Sequence, residues 1–213
     1  MKIGILGSGV VGQQLGSGLI SCGHEVMIGT RDASKLVEWI KKNPQRSFIG
    51  TANEAVKYGE MIFLATKGDV VLEVINQCDK EKFEGKTLID VTNALDSSKG
   101  VPPKLFSTQG NSLGEQIQKI LPRSRVVKAF NTISANIMIS PKREEGEPDL
   151  WICGNDEKAK KKVDEIAKQL GWKSVIDLGD LSKSFLLEAF ALLWIEYGFK
   201  NNNWNHAFKL LKK

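Results

Sequence analysis

The chain has 213 residues, of which 41% are hydrophobic, and a formal net charge of +5 at pH 7. This length can bury one full core, and no uninterrupted apolar run approaches the roughly 20 residues that a membrane-spanning helix needs. The three cysteines are scattered and the two histidines lie away from any cysteine pair, which argues against a disulfide framework and against a metal site.

These features also set the expected location and partners. The first predicted strand begins at residue 2, which leaves no room for a secretion signal, so we expect a cytoplasmic protein in a reducing compartment. The lysines are spread along the chain without a nucleic-acid-binding motif, and we expect neither a nucleic-acid partner nor a membrane partner. The mildly basic balance favours small anionic ligands.

The first predicted element is a strand over Lys2–Leu6 that enters a glycine-rich turn. The turn has the form G-x-G-x-x-G through Gly7, Gly9 and Gly12, and helical spacing follows over residues 11–21. Strand, glycine turn and helix in this order are typical of dinucleotide binding. We expect Gly7 to make the turn, Gly9 to let backbone approach a pyrophosphate, and Gly12 to let helix and strand pack closely. The helix N-terminus supplies unpaired N–H groups for the phosphates.

Strand-like and helical segments alternate through about residue 135. This alternation predicts a doubly wound Rossmann α/β fold, in which helices cover both faces of a mainly parallel sheet. The further predicted strands are 25–29, 47–50, 61–65, 87–91 and 126–130. The predicted helices are 11–21, 33–42, 52–58, 70–77 and 113–121.

The segment from residue 94 to residue 111 lacks periodicity and contains Gly100, Pro102, Pro103 and Gly110. It follows the fifth strand, at the sheet edge where open α/β sheets bind ligands. A loop of this length in a compact domain is usually functional, so we expect it to serve the site.

A shorter α/β unit follows the sixth strand. We predict a dinucleotide-binding Rossmann domain over residues 1–135 and a small C-terminal extension over residues 136–213 that packs on it and contributes to the pocket of the second reactant. The predicted strands of the extension are 150–153 and 174–178, and its predicted helices are 157–170, 182–197 and 204–211. The helix over 182–197 is apolar on more than one face, which leaves core packing and a homodimer contact as alternatives.

The end of the second strand indicates which dinucleotide binds. An NAD enzyme usually places a carboxylate there to hold the ribose hydroxyls. This chain has Gly29 and Thr30, followed by Arg31, whose planar guanidinium can bind a 2′-phosphate. Lys35 lies one helical turn further and can reach the same phosphate, whereas Asp32 suits the N-cap of the next helix. The sequence therefore predicts NADP(H).

Few side chains suit general acid catalysis. Reduction of a ketone needs an acid near the developing alkoxide, yet His24 precedes the second strand and His206 lies near the C-terminus. The most direct interpretation is an acceptor whose own ring takes the hydride, such as a flavin or deazaflavin, with a proton from solvent. Lys67 and Lys128 remain alternative acids.

In these features the chain resembles the NADP-dependent reductases of the deazaflavin coenzyme F420. It is also similar to the cytosolic domain of six-transmembrane ferric reductases, in which NADPH reduces flavin. The segments that carry the resemblance run through the whole chain: 7–12, 29–31, 64–66, 90–93, 126–132, 153–156, 187–188, 193–194 and 207–210.

The resemblance implies roles for individual residues. Those that hold the nucleotide phosphates are Gly7, Ser8, Gly9, Val10, Val11, Gly12, Thr30, Arg31 and Lys35. Those that flank the nicotinamide ribose, or line the nicotinamide and acceptor pocket, are Ala65, Thr66, Asn93, Ala129, Phe130, Asn131 and Thr132. No catalytic residue is identified, and the weak candidates are Lys67, Asn131 and Thr132.

The implied function is hydride transfer between NADP(H) and coenzyme F420 or a flavin-type acceptor. Two alternatives stay open: an imine or hydroxyacid reductase, and a redox sensor that binds NADP(H) without turnover. We expect a homodimer with a small-molecule acceptor as its partner.

Overall fold

A computed structural model describes residues 1–211 and contains an eight-stranded sheet with helices packed on it. The strands are β1 Lys2–Leu6, β2 Glu25–Gly29, β3 Ser47–Gly50, β4 Met61–Leu64, β5 Thr87–Asp90, β6 Leu95–Asp96, β7 Lys104–Leu105, β8 Arg125–Lys128, β9 Leu150–Gly154 and β10 Val175–Asp177. The helices are α1 Val10–Ser21, α2 Val37–Lys42, α3 Ala52–Tyr58, α4 Val71–Asn76, α5 Leu113–Ile120, α6 Ala135–Met138, α7 Glu157–Gln169 and α8 Ser184–Asn201.

The strand order across the sheet is β3-β2-β1-β4-β5-β8-β9-β10. Neighbouring strands are parallel except β8 and β9, which are antiparallel. The order reverses between β1 and β4, which is the place where doubly wound sheets bind ligands. The predicted Rossmann fold is confirmed. Strands β9 and β10 extend the same sheet beyond residue 135, and the division into two parts stays a prediction.

The central strands are buried on both faces, as expected in a parallel sheet covered by helices. In β1 and β4, Ile3, Ile5 and Phe63 pack into one apolar core, and Ile62 and Leu64 pack into another. The first core lies under α1, α2 and α7, whereas the second lies under α3, α4 and α5. Alternation along the strands therefore places the sheet between two helical layers.

Side-chain caps begin several of the helices. Thr51 and Glu54 form a capping box at the start of α3, and Ser112 and Glu115 form another at the start of α5. Asp156 accepts a hydrogen bond from the backbone N–H of Ala159 at the start of α7. These caps satisfy N–H groups that have no partner within the helix.

Several local features differ from the prediction. The predicted helix over 33–42 divides into a 3₁₀ turn at Ala33–Leu36 and α2. The predicted loop over 94–111 contains the small antiparallel pair β6 and β7. Helix α6 and a 3₁₀ turn at Lys80–Phe83 were not predicted, because both are only four residues long. Single turns of helix carry too little periodicity to be recognised.

The predicted helix over 204–211 is wrong, because this segment contains no helix. Helix α8 ends at Asn201, and Asn202 adopts a left-handed conformation with φ 47°. The segment then hydrogen-bonds to distant elements: the Asp149 N–H donates to the Phe208 carbonyl, and the Trp194 Nε1–H donates to the His206 carbonyl. Bonds to other elements have replaced the bonds that a helix would make within itself.

Helix α8 buries one face and exposes the other. Leu187, Ala191 and Trp194 are buried, which confirms core packing for that face. Leu186 and Leu193 expose 54% and 57% of their surface. In the part of the chain that the structure describes, no helix is both long enough and apolar enough to cross a membrane.

Candidate functional site

A first cleft of about 630 Å³ opens at the carboxyl ends of β1, β2 and β4, at the point where the strand order reverses. Predicted nucleotide-binding residues from four separate segments line it together: Gly7, Ser8, Gly9, Val10, Val11, Thr30, Arg31, Lys35, Ala65 and Thr66. Gly12 does not line it, because it is a buried residue of α1 that packs against Ile5 and Gly7. The structure thus brings most of the predicted phosphate and ribose contacts to one place.

Three glycines shape the turn between β1 and α1. Gly7 has φ 126°, and a Cβ atom there would lie 2.4 Å from the Ala65 carbonyl oxygen. A Cβ atom on Gly12 would lie 2.0 Å from the Gly7 carbonyl oxygen. A Cβ atom on Gly9 would meet nothing within 4 Å. Gly7 and Gly12 are therefore required by the turn itself, whereas Gly9 keeps open the side from which a phosphate would approach.

The N-terminus of α1 faces the first cleft without a cap from the protein. No side chain caps α1, and its first turn contains no acidic residue. Val10 exposes 70% of its surface, so its side chain does not close the helix end. The unpaired N–H groups and the partial positive charge of a helix N-terminus together favour a bound phosphate.

Hydrogen bonds tie the glycine turn to its surroundings. The Ser8 and Thr30 hydroxyls lie 2.8 Å apart and join the turn to the end of β2. Gln13 Nε2 donates to the Ser8 carbonyl at 2.9 Å. Trp39 Nε1 donates to the Gln13 carbonyl and to the Ser17 hydroxyl, each at 3.0 Å. The turn, α1 and α2 therefore form one hydrogen-bonded unit.

Two cations lie beside Thr30 at the rim of the first cleft. Within residues 1–211, the Arg31 side chain has no hydrogen-bond or ion-pair partner, whereas Lys35 Nζ lies 4.0 Å from Asp32 Oδ2. Asp32 caps the following 3₁₀ turn, as predicted, by accepting from the hydroxyl and the backbone N–H of Ser34, and these bonds lower its pKa. The carboxylate is thus engaged with its own helix, and the cations suit a phosphate.

A second cleft of about 550 Å³ adjoins the first. The residues common to both clefts are Val11, Ala65, Thr66, Lys67 and Asp69. The Thr66 hydroxyl is buried and has no hydrogen-bond partner in the described part of the chain. An unpartnered buried hydroxyl costs about 1–3 kcal/mol, which a ligand that bonds to it would recover.

The loops after β4 and β5 touch at the wall of the second cleft. A Cβ atom on Gly68 would lie 1.9 Å from the Asn93 carbonyl oxygen, and Asn93 lines the cleft. Asn93 Nδ2 donates to the Asn131 carbonyl at 2.8 Å, and Asn131 Nδ2 donates back to Asn93 Oδ1 at 2.9 Å. Asn131, which does not itself line the second cleft, thus holds the Asn93 side chain in place.

The structure does not bring the other predicted pocket residues into either cleft. Asn131 and Thr132 are buried, and Ala129 and Phe130 lie in the core. Phe130 adopts φ 62°, and its ring centroid lies 6.4 Å from that of Phe63. The segment after β8 therefore packs behind the second cleft.

The two lysines considered as acids lie in different surroundings. Lys67 is exposed where the two clefts meet. Lys128 is fully buried and ion-paired with Asp90 and Glu188. Burial alone would lower the pKa of Lys128, but the two carboxylates raise it. Lys128 is thus held as a cation away from both clefts.

Several residues that line the clefts were not predicted from the sequence. In the first cleft they are Ala52, Asp69, Val70, Val74 and Gln77. In the second cleft they are Gly68, Val91, Thr92, Leu95, Asp96, Ser97 and Ser98. Val70 and Val74, at the start of α4 and within it, lack a sequence signal, because apolar residues at helical spacing are typical of a core. Residues 95–98 belong to the loop whose length and position had indicated a functional role.

The residues of the first cleft fit an NADP(H) molecule. The fit rests on four observations: the open side of Gly9, the uncapped α1, the two cations beside Thr30 and the unpartnered Thr66 hydroxyl. The first two suit a pyrophosphate and the third suits a 2′-phosphate.

Comparison with known proteins agrees with this fit. A family model described as NADP oxidoreductase coenzyme F420-dependent matches residues 2–94. The F420-dependent NADP reductase of Methanocaldococcus jannaschii is 32% identical over 211 residues, covering 94% of this chain and 93% of the relative. The crystal structure of a candidate F420-dependent NADP reductase from Arthrobacter sp. FB24 has a TM-score of 0.94 and 34% identity, covering 100% of both chains.

Two further similarities cover part of a longer protein. Metalloreductase STEAP3 of Rattus norvegicus is 31% identical over 191 residues, covering 90% of this chain but 36% of the relative. This chain therefore spans about a third of the length of that relative. An imine reductase of Streptomyces aurantiacus, at 13% identity and a TM-score of 0.69, covers 94% of this chain and 64% of that chain and shares the fold alone.

Proposed function

The chain belongs to the family of coenzyme F420-dependent NADP oxidoreductases, and we propose that it transfers a hydride between NADP(H) and coenzyme F420 or a flavin-type acceptor. It is an NADP-dependent reductase in this proposal, with NADP(H) in the first cleft and the acceptor in the second. When bound, NADP(H) supplies the hydride chemistry, and the protein supplies binding and orientation.

The residues of the first cleft have separate tasks. The open side of Gly9 and the uncapped N-terminus of α1 would receive the pyrophosphate. Arg31 and Lys35 would hold the 2′-phosphate, and their positions beside Thr30 favour NADP(H) over NAD(H). Thr66 would donate or accept a hydrogen bond at the border of the two clefts.

The observation that carries the proposal is the wall that the two clefts share. Ala65, Thr66 and Lys67 line both clefts, so a nucleotide and an acceptor bound in them would meet at this loop. Holding two reactants side by side converts a bimolecular step into an effectively unimolecular one. Proximity of this kind is what hydride transfer between two ring systems requires.

The side chains around the clefts favour a ring acceptor. No His, Tyr or Cys side chain in the described part of the chain lines either cleft. Ketone reduction needs a general acid beside the developing alkoxide, whereas a flavin or deazaflavin ring accepts the hydride itself. Lys67 at the junction is the one lysine common to both clefts, and Lys67→Ala tests whether it moves a proton.

Stopped-flow mixing tests the proposal. Protein loaded with NADPH is mixed separately with coenzyme F420, FMN and FAD, and NADPH absorbance is followed. We expect oxidation faster than the protein-free rate with at least one acceptor, and slower oxidation when NADH replaces NADPH. No protein-dependent oxidation with any of the three would refute the function.

The exposed face of α8 favours a second candidate function. Leu186, Leu193 and Tyr197 expose about half of their surface, which supports a protein contact. We propose that this face pairs two copies of the chain, which light scattering would show as twice the chain mass.

The alternative function is a redox sensor that binds NADP(H) without turnover. NADPH binding without turnover, together with a specific partner protein on the exposed face of α8, would support the sensor. A homodimer that oxidises NADPH would count against the sensor.

A further inference from the structure

Three charged side chains form a buried cluster that joins the ends of β5 and β8 to α8. Lys128 Nζ lies 2.8 Å from Asp90 Oδ2 and 3.0 Å from Glu188 Oε1. Each side chain is 0% exposed. This buried triad carries two carboxylates and one ammonium away from the protein surface, so its members depend on one another and on nearby N–H groups.

Both carboxylates of the buried triad also accept hydrogen bonds from groups other than Lys128. Asp90 Oδ1 accepts from the Thr92 backbone N–H at 3.0 Å and from the Thr92 hydroxyl at 2.6 Å. Glu188 accepts from the backbone N–H groups of Leu113 and Gly114, each at 3.2 Å. These N–H groups lie in the first turn of α5, where no partner exists within the helix. The buried triad therefore fixes both the turn after β5 and the start of α5.

Asn93 and Asn131, which hydrogen-bond to each other, lie beside the buried triad. Asn131 Nδ2 donates to the Leu187 carbonyl at 2.9 Å, and Leu187 immediately precedes Glu188 in α8. Asn131 also bonds to Asn93, which follows Thr92. Thr92 and Asn93 line the second cleft, so that wall is held by Asp90 on one side and by Asn131 on the other.

We propose that Asp90, Lys128 and Glu188 are positioning residues that hold Thr92 and Asn93 in place against the hydride acceptor. This inference rests on the function proposed for the second cleft. A buried ion cluster is weak evidence for stability, because well-packed apolar side chains are often equally stable. Its hydrogen bonds instead lead directly to Thr92 in the cleft wall. They reach Asn93 indirectly, through Asn131 and the Leu187 carbonyl next to Glu188.

The chain offers a matched control at another buried lysine. Lys160 is 5% exposed and ion-paired with Glu157 at 2.8 Å and with Asp177 at 2.6 Å. It joins α7 to the edge strand β10 and lines neither cleft. Its partners Glu157 and Asp177 are 82% and 39% exposed, so loss of Lys160 removes a buried lysine that also pairs with two carboxylates without touching the acceptor wall.

The test compares Glu188→Gln and Lys128→Met with Lys160→Met. Glu188→Gln leaves a balanced pair of Asp90 and Lys128, so it keeps the proposal testable if Lys128→Met fails to fold. We expect kcat/KM for the acceptor to fall about tenfold or more in Glu188→Gln, since a misplacement of about 1 Å can cost on the order of a hundredfold. NADPH affinity should stay within about twofold, and Lys160→Met should keep wild-type kcat/KM. Equal losses in Glu188→Gln and Lys160→Met, or none in Glu188→Gln, would overturn the proposal.

Hydrogen exchange separates this proposal from the function on which it rests. We expect backbone amides in residues 91–93 and 113–114 to exchange faster in Glu188→Gln than in the wild type, and at the wild-type rate in Lys160→Met. If the wild type oxidises NADPH with none of the three acceptors, the proposed function fails. Hydrogen exchange alone then decides whether the buried triad positions the wall of the second cleft. Unchanged exchange in Glu188→Gln would show that it does not.

Discussion

A Cβ atom added to Gly68 would lie 1.9 Å from the carbonyl oxygen of Asn93. The loops after β4 and β5 therefore meet with no room for a side chain, and the wall of the second cleft depends on this contact. Because the clashing atom belongs to the backbone, a methyl group there must push one loop away.

We expect Gly68→Ala to lower the free energy of unfolding by about 1–3 kcal/mol, which is typical of overpacking. The acceptor KM should rise, because the displaced loops carry residues of the second cleft. Urea denaturation and steady-state kinetics measure the two effects. Wild-type stability together with a wild-type KM would show that the loops part without consequence.

Gly9 and Gly12 should respond to alanine in opposite ways. In Gly9→Ala the new methyl group meets no protein atom, so stability should stay at the wild-type value while NADPH binding weakens. In Gly12→Ala the methyl group would lie 2.0 Å from the Gly7 carbonyl oxygen, so the fold itself should lose about 1–3 kcal/mol. Thermal melts with and without NADPH distinguish them. NADPH binding by Gly9→Ala at wild-type affinity would show that no phosphate approaches there.

Thr66→Val removes a buried hydroxyl that has no partner. We expect stability to be unchanged or slightly higher and NADPH or acceptor affinity to fall about twofold to tenfold, the value of one hydrogen bond. Thr87→Val is the matched control, because its hydroxyl is also buried and unpartnered but lies at the start of β5. An equal loss of affinity in both variants would exclude a ligand contact for Thr66.

Arg31→Ala should weaken NADPH binding about tenfold or more, because a charge-assisted hydrogen bond contributes about 1.5–3 kcal/mol. NADH binding should change little, since NADH lacks the 2′-phosphate. Calorimetric titration with both nucleotides checks this, with Arg123→Ala as an exposed-arginine control paired to Glu84. Equal losses for NADPH and NADH would show that Arg31 does not contact the phosphate.

Asp149 should make stability depend on acidic pH. Burial alone would raise its pKa, but hydrogen bonds from Ser174, from the Leu210 backbone and from Lys209 lower it on balance. Its contribution is therefore present above the unfolded pKa of about 3.9 and is lost as pH falls through the lower folded value.

The corresponding variant is Asp149→Asn, whose free energy of unfolding should be lower than that of the wild type by on the order of 1 kcal/mol at neutral pH. The difference in free energy of unfolding between Asp149→Asn and the wild type should become smaller below about pH 4, where the wild-type carboxylate takes up a proton. Urea denaturation between neutral pH and pH 3 measures this. A difference in free energy of unfolding that stays constant with pH would contradict a stabilising role for the charge of Asp149.

Elements were predicted well where the information is local. The bounds of β1, β2, β3 and α3 agree with the prediction, because alternation and caps lie within each segment. The prediction for the segment over 204–211 is wrong because its hydrogen-bond partners lie outside the segment, in α8 at Trp194 and far away in the sequence at Asp149.

The same distinction holds for the candidate site. The first cleft could be anticipated from the glycine turn and from the end of β2, since both are short local motifs. In the second cleft, the family resemblance indicated Ala65, Thr66 and Asn93, whereas Asp96 and Ser97 carry no motif and could be anticipated only as part of a functional loop. The buried triad could not be recognised, since Asp90, Lys128 and Glu188 lie in three separate segments and become partners only in the folded sheet.

Trp39 is linked through Gln13 to the glycine turn of the first cleft. Its indole N–H bonds to Gln13, and the Gln13 side chain bonds to Ser8 in the glycine turn. The other four tryptophans all come from residues 151–204. Because reduced nicotinamide absorbs the light that indole emits, NADPH binding in this cleft should quench Trp39 fluorescence. The contact that fixes α2 against α1 thus also provides a label-free signal of nucleotide occupancy.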